Sequence, residues 1–150
     1  MTDDAARTMV HTPYDLGVGI NIGQNRDTYA FFRTLWYSGN GNMTAIFELP
    51  DGHEPYLVVE FHLPEIVRVL DEFWISTETP DKWAGDLTSF CRTVEGAVYP
   101  TNLEWARETR PKAVLYQFVT NDQCLEVMSE HPPIARLSSE ASMPAFANLD

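Results

Sequence analysis

Residues 65–74, Glu65-Ile66-Val67-Arg68-Val69-Leu70-Asp71-Glu72-Phe73-Trp74, decide how the second half of the chain is read. Ile66, Val67, Val69, Leu70, Phe73 and Trp74 recur at helical spacing, while Glu65, Arg68 and Glu72 share the opposite side at separations that suit ion pairs. With Pro64 in the first turn, the stretch predicts an amphipathic helix. Thr79-Pro80 opens a second one, whose stripe is Trp83, Leu87, Phe90, Cys91 and Val94 and whose stop is Gly96.

Upstream of this pair the period changes. Tyr29 to Tyr37 is aromatic and β-branched, and Ser38-Gly39-Asn40-Gly41-Asn42 is the strongest turn signal in the chain. Met43 to Leu49 follows as a strand, and Pro50-Asp51-Gly52 turns the chain into Pro55 to Phe61. These runs predict a three-stranded antiparallel meander. Leu16 to Ile22 alternates as a half-buried strand would, weakened by two glycines. The spacing of Gly17, Gly19 and Gly23 does not fit a dinucleotide fingerprint, and no helix clearly follows it. Residues 1–14 read as a flexible leader without the basic and apolar regions of a secretory signal.

Downstream, Thr101 to Glu108 reads as a short helix ended by Pro111, and Ala113 to Val119 as a strand. Asn121 is placed to cap a helix carrying Cys124, Leu125, Val127 and Met128 as far as His131-Pro132-Pro133. Residues 134–150 read as a flexible tail. The expectation is therefore one α+β domain over residues 15–133. It has a mainly antiparallel sheet begun by the meander, helices packed on one face, and a further strand and helix near the C-terminus.

Hydrophobic residues at 44% and aromatics at 12% exclude a disordered acidic chain. The longest uncharged apolar run, Ala113 to Val119, is far short of the ~20 residues of a membrane helix. Cys91 and Cys124 fall on apolar positions, which predicts buried thiols in a reducing cytoplasm rather than a disulfide.

Charge points to a class of partner. The chain has 22 acidic and 10 basic residues, a formal net charge of -12. Such a field repels phosphates and anionic membranes and speeds encounter with a basic protein. Arg107, Arg110 and Lys112 form the only basic cluster, too small for nucleic acid and suited to pairing with Glu104 and Glu108. On the expected helix pair and its connection, Glu65, Asp71, Glu72, Glu78, Asp81 and Asp86 would make one negative patch, with Trp74 and Trp83 as aromatic anchors.

Catalytic signals are sparse. No nucleophile elbow, phosphate loop or Cys-x-x-Cys pair is present, and no cofactor is expected. Glu60 and His62 point to the same side of one strand and form the best general-base pair, with Glu65 a turn into the next helix. His53 lies roughly 30 Å from His62 along an extended strand, too far to share a metal ion, so no metal site is expected. The aromatics of Tyr29 to Tyr37 occupy both faces of their strand; one face can line the core and the other a ligand.

The leading expectation is an acidic, non-catalytic protein of the immunity or inhibitor type that docks on a basic protein partner. A nuclease is the obvious class of target, with carboxylates standing where it expects phosphates. The alternative is a small enzyme or ligand-binding domain with an aromatic pocket between sheet and helices, using His62 with Glu60. A third reading is a subunit of a larger assembly, with a terminal segment ordering on a neighbour.

Overall fold

The computed structural model describes residues 8–19, 30–49, 55–71, 82–85, 89–95, 108–120 and 123–139. These are organised almost wholly as strands: β1 (Thr8–Pro13), β2 (Phe31–Tyr37), β3 (Met43–Glu48), β4 (Tyr56–Phe61), β5 (Ile66–Asp71), β6 (Lys82–Gly85), β7 (Cys91–Glu95), β8 (Val114–Val119), β9 (Gln123–Ser129) and β10 (Ile134–Ser138). Two sheets result, a larger one ordered β5-β9-β8-β7-β1-β6 and a smaller one ordered β10-β4-β3-β2. Neighbours are antiparallel throughout except β1 and β6, which run parallel.

The expected meander is the heart of the smaller sheet. Phe32 pairs with Phe47, Leu35 with Ala45, and Ala45 with Val59, so the strands place one apolar row after another on the inner face. Arg33 sits at a register shift in β2, an extra residue whose guanidinium turns out to Glu48. From the larger sheet, Tyr116, Phe118, Leu125 and Val127 meet this face, and Phe90 joins them from the approach to β7. Phe47 touches Phe32, Phe90 and Phe118, while Phe61 touches Tyr116 and Phe118. Aromatic rings therefore pack the interval between the two sheets.

The α+β expectation is overturned. Among the described residues no helical element is formed, and only Glu108 and Thr109 have helical geometry; 101–107 lie outside the described residues. The first expected helix contains β5, the second contains β6 and β7, and the C-terminal one is β9. The cause lies in the centre of the larger sheet, β7 to β9, which is buried on both faces. On its outer face His11, Val94, Leu115 and Met128 are as buried as the residues facing the smaller sheet. A strand buried on both faces loses the period-two alternation that identifies strands, and its apolar run mimics a helical stripe. β-Branched Ile66, Val67 and Val69 favour the extended form.

Two further segments differ from expectation. Residues 8–13, read as leader, form β1 between β6 and β7, and residues 134–138, read as tail, form β10 along β4. Ala135 and Leu137 alternate with exposed Ile134 and Arg136 and pack against the core, a two-residue period too short to register in the sequence. Leu16 lies outside any strand and Gly17 to Gly19 are bends, though Leu16 and Val18 do pack on the core; residues 20–22 lie outside the described residues. Asp51 and the rest of its turn lie outside the described residues. Cys91 and Cys124 are buried and not joined in a disulfide, on strands instead of helices.

One polar row crosses the outer face of the larger sheet. Register aligns Arg92, Gln117, Glu126 and Arg68 on four successive strands. Arg92 Nε donates to Gln117 Oε1 at 2.7 Å, Gln117 Nε2 donates to Glu126 Oε2 at 3.0 Å, and Arg68 Nε donates to Glu126 Oε1 at 2.9 Å. Buried polar groups chained in this way satisfy one another and pin the strand register.

Candidate functional site

The turn between β2 and β3 closes with Ser38 N–H on the Asn42 carbonyl at 2.9 Å and Gly41 N–H on the Ser38 carbonyl at 3.1 Å. Gly41 adopts φ +88°, where a side chain is strained, and an added Cβ there would lie 2.8 Å from Leu63 Cδ2. The turn therefore rests directly on the segment after β4. In that segment Leu63 itself has φ 46°. A bulky residue held there costs on the order of 1–3 kcal/mol and persists only where its surroundings over-determine it.

Asn42 provides that constraint. Its Oδ1 accepts from the Leu63 N–H at 3.3 Å and lies 2.8 Å from His62 Nδ1. Because a backbone N–H can only donate, the amide atom facing it is the oxygen, and the His62 nitrogen that shares this oxygen must also carry hydrogen. In the neutral ring Nε2 is then a lone pair. His131, from the β9–β10 connection, brings its ring centre to 5.0 Å from that of His62, with 63° between the planes.

These groups line a pocket of about 490 Å³ with Asn40, Thr44, Glu60, Pro132 and Ile134. Thr44 is the register partner of both Trp36 and Glu60, and Glu60 that of Ile134, so the pocket lies against one outer row of the smaller sheet. His62 and His131 are exposed and Glu60 is half-buried. His62 and Glu60 both line this pocket, but Asn42 orients the imidazole, and the Glu60 carboxylate makes no hydrogen bond or ion pair among the described residues. Neither imidazole bonds a hydroxyl or thiol there. His131 joins Glu60 and His62 without a sequence signal of its own, since Pro132-Pro133, a rigid turn, reads in the sequence as a helix stop.

The expected acidic patch does not keep its scaffold. Glu65 precedes β5, with its N–H on the Met128 carbonyl at 2.8 Å, and Asp71 ends β5, so the two stand at opposite ends of a strand of about 20 Å. Trp83 belongs to β6, while Glu72, Trp74, Glu78, Asp81 and Asp86 lie outside the described residues. Register instead gathers a different set. Val94 aligns with Leu115, Val114 with Ser129, and Ile66 with Met128, which places Glu65, Glu95 and Glu130 at one end of the larger sheet, with Glu108 on the approach to β8. Glu95, Glu108 and Glu130 are exposed there. Arg110 reaches Glu65 at 3.6 Å rather than only its sequence neighbours, and Lys112 lies nearby in the chain.

Among the described residues no group of three or more His, Cys, Asp or Glu is placed to hold a metal ion, and no helix is long and apolar enough to cross a membrane. Comparison with protein-family models, with curated proteins and with solved structures finds no match to this chain.

Proposed function

We propose that this chain is an acidic, non-catalytic binding protein that docks on a basic surface of another protein, in the manner of an immunity protein or inhibitor. The observation that carries the reading is where the charges stand. Arg33, Arg68 and Arg110 are engaged with Glu48, Glu126 and Glu65, and Arg92 is buried against Gln117. Exposed Glu95, Glu108 and Glu130 are left at one end of the larger sheet, in a chain of net charge -12. With Glu65 they outnumber Arg110 and the exposed Lys112 at that end, and a net negative surface of this kind raises the encounter rate with a basic partner and is screened by salt.

The test is the association rate of a partner captured from the native host, followed against ionic strength. It should fall at least tenfold between about 10 and 150 mM salt if steering dominates. Reversing Glu95, Glu108 and Glu130 to Lys should slow association at low salt while the urea midpoint is kept. Salt-independent association, unchanged in the triple variant, would defeat the reading.

A second reading, a small polar-ligand pocket, is favoured by one observation. His62 and His131 converge on a concavity that also holds Glu60.

A further inference from the structure

We propose that His62 and His131 together chelate one divalent transition-metal ion of the class that prefers imidazole, Cu²⁺, Ni²⁺ or Zn²⁺, with its remaining positions open to water or to an incoming ligand. The inference is independent of docking on a protein partner.

The distance between the rings is the first support. With metal–nitrogen bonds of about 2.0–2.1 Å, two imidazoles on one ion have their ring centres about 4.6–5.3 Å apart for bond angles between a right angle and tetrahedral. The separation here is 5.0 Å. Simple edge-to-face packing of two rings accounts for this distance equally well, so the second support matters more.

That support is the tautomer. A metal-bound histidine donates its other ring N–H to a fixed acceptor, which sets the ring's orientation and raises its basicity. Asn42 Oδ1 plays this part for His62 and is itself fixed by the Leu63 N–H, so the Nε2 lone pair is ready before any ion arrives. Leu63 bears an uncommon φ of 46° in the same arrangement, the kind of local strain that gathers at binding sites.

Access and charge agree. Both rings are exposed at a pocket that also holds the Glu60 carboxylate, which forms no ion pair among the described residues. Two imidazoles and solvent form an open site, and imidazole ligation suits copper, nickel and zinc above magnesium or calcium.

The experiment uses the full untagged chain and Cu²⁺ or Ni²⁺ alone, followed by calorimetry, with electron paramagnetic resonance for the copper form. One ion per chain and a signal from two coordinated imidazoles are expected. His62→Gln and His131→Gln should each weaken binding at least tenfold, while His53→Gln should not. Asn42, as a positioning residue, is tested separately: Asn42→Ala should weaken binding by about 10–100-fold and Asn42→Asp, which keeps the acceptor, should restore it. Metal-free urea midpoints confirm that each variant is folded. Wild-type affinity in either histidine variant, or a copper signal from fewer than two imidazoles, would overturn the proposal. Association with a protein partner is not measured at any step, so failure here leaves the docking reading intact.

Discussion

Phe47 on β3 and Phe118 on β8 stack across the interval between the two sheets, with 5.6 Å between ring centres and 25° between planes. Both are fully buried, and each touches Phe90 as well. Phe118→Ala should therefore cost about 3–5 kcal/mol, because a cavity at the meeting point of both sheets has little room to collapse. Urea titration measures it; a loss under about 1 kcal/mol would mean that the sheets do not meet there.

Glu126 joins three strands of the larger sheet through Arg68 and Gln117. Glu126→Ala leaves the Arg68 guanidinium, mostly shielded from solvent, without its carboxylate, and should destabilise by about 3–5 kcal/mol. The paired change Arg68→Met with Glu126→Leu should recover only part of that loss, because the buried Gln117 amide still lacks the acceptor that Glu126 gave it. A double variant less stable than the single one would show that the charges do more than satisfy each other.

Alkaline conditions should weaken the fold. Burial raises the Cys91 thiol well above its usual range, with Arg92 opposing, and burial pushes the Tyr116 phenol up to about 12, with Tyr14 and Cys91 adding to the effect. The native state keeps the Cys91 proton while the unfolded thiol releases it near about pH 8.5. Stability from this group is thus complete below about pH 8.5 and declines above it, by up to about 1.4 kcal/mol per pH unit. Cys91→Ala should flatten the dependence between about pH 8.5 and 10 in urea midpoints. An unchanged slope would place the thiol in contact with water.

Gly41→Ala should cost about 1–3 kcal/mol, combining the strain of φ +88° with the approach to Leu63 Cδ2. Adding Leu63→Ala should return only the steric part. Thermal melting of the two variants separates the contributions, and a neutral Gly41→Ala would mean that the turn is not held in its left-handed form.

β10 offers a comparison within one strand. Leu137→Ala should cost about 2 kcal/mol, at the lower end of the core range because the residue is only partly buried. Arg136→Ala on the exposed side should change stability by less than about 0.5 kcal/mol. Equal effects in denaturant titration would argue against the alternation of this strand.

Where turn chemistry is strong, the fold is legible in the residues: Ser38 to Asn42 announces the hairpin between β2 and β3, and β8 stands out as an isolated apolar run. β9 is the opposite case. Cys124, Leu125, Val127 and Met128 have helical spacing and Glu126 occupies the polar position, yet all five are buried, with Glu126 bonded across strands instead of hydrated. No local pattern distinguishes a carboxylate on a helix surface from one paired inside a sheet. At the candidate site, Glu60 and His62 are near one another in the sequence itself, with one residue between them, although β4 ends at Phe61 and His62 lies just beyond it. His131 is distant from both: only the β4–β10 pairing brings it to His62, and pairing between distant segments leaves no periodic trace.

β1 has an implication in time. It lies between β6 and β7, its Thr8 opposite Lys82 and its Val10 opposite Glu95. β1 thus has no partner until some seventy residues more have been made, several seconds at about 5–20 residues per second. During that wait its backbone donors and acceptors face solvent or whatever else is near, and closure of the larger sheet is a late, long-range step. Fusions or nascent-chain stalls that occupy this segment should trouble synthesis of the folded protein more than its equilibrium stability suggests.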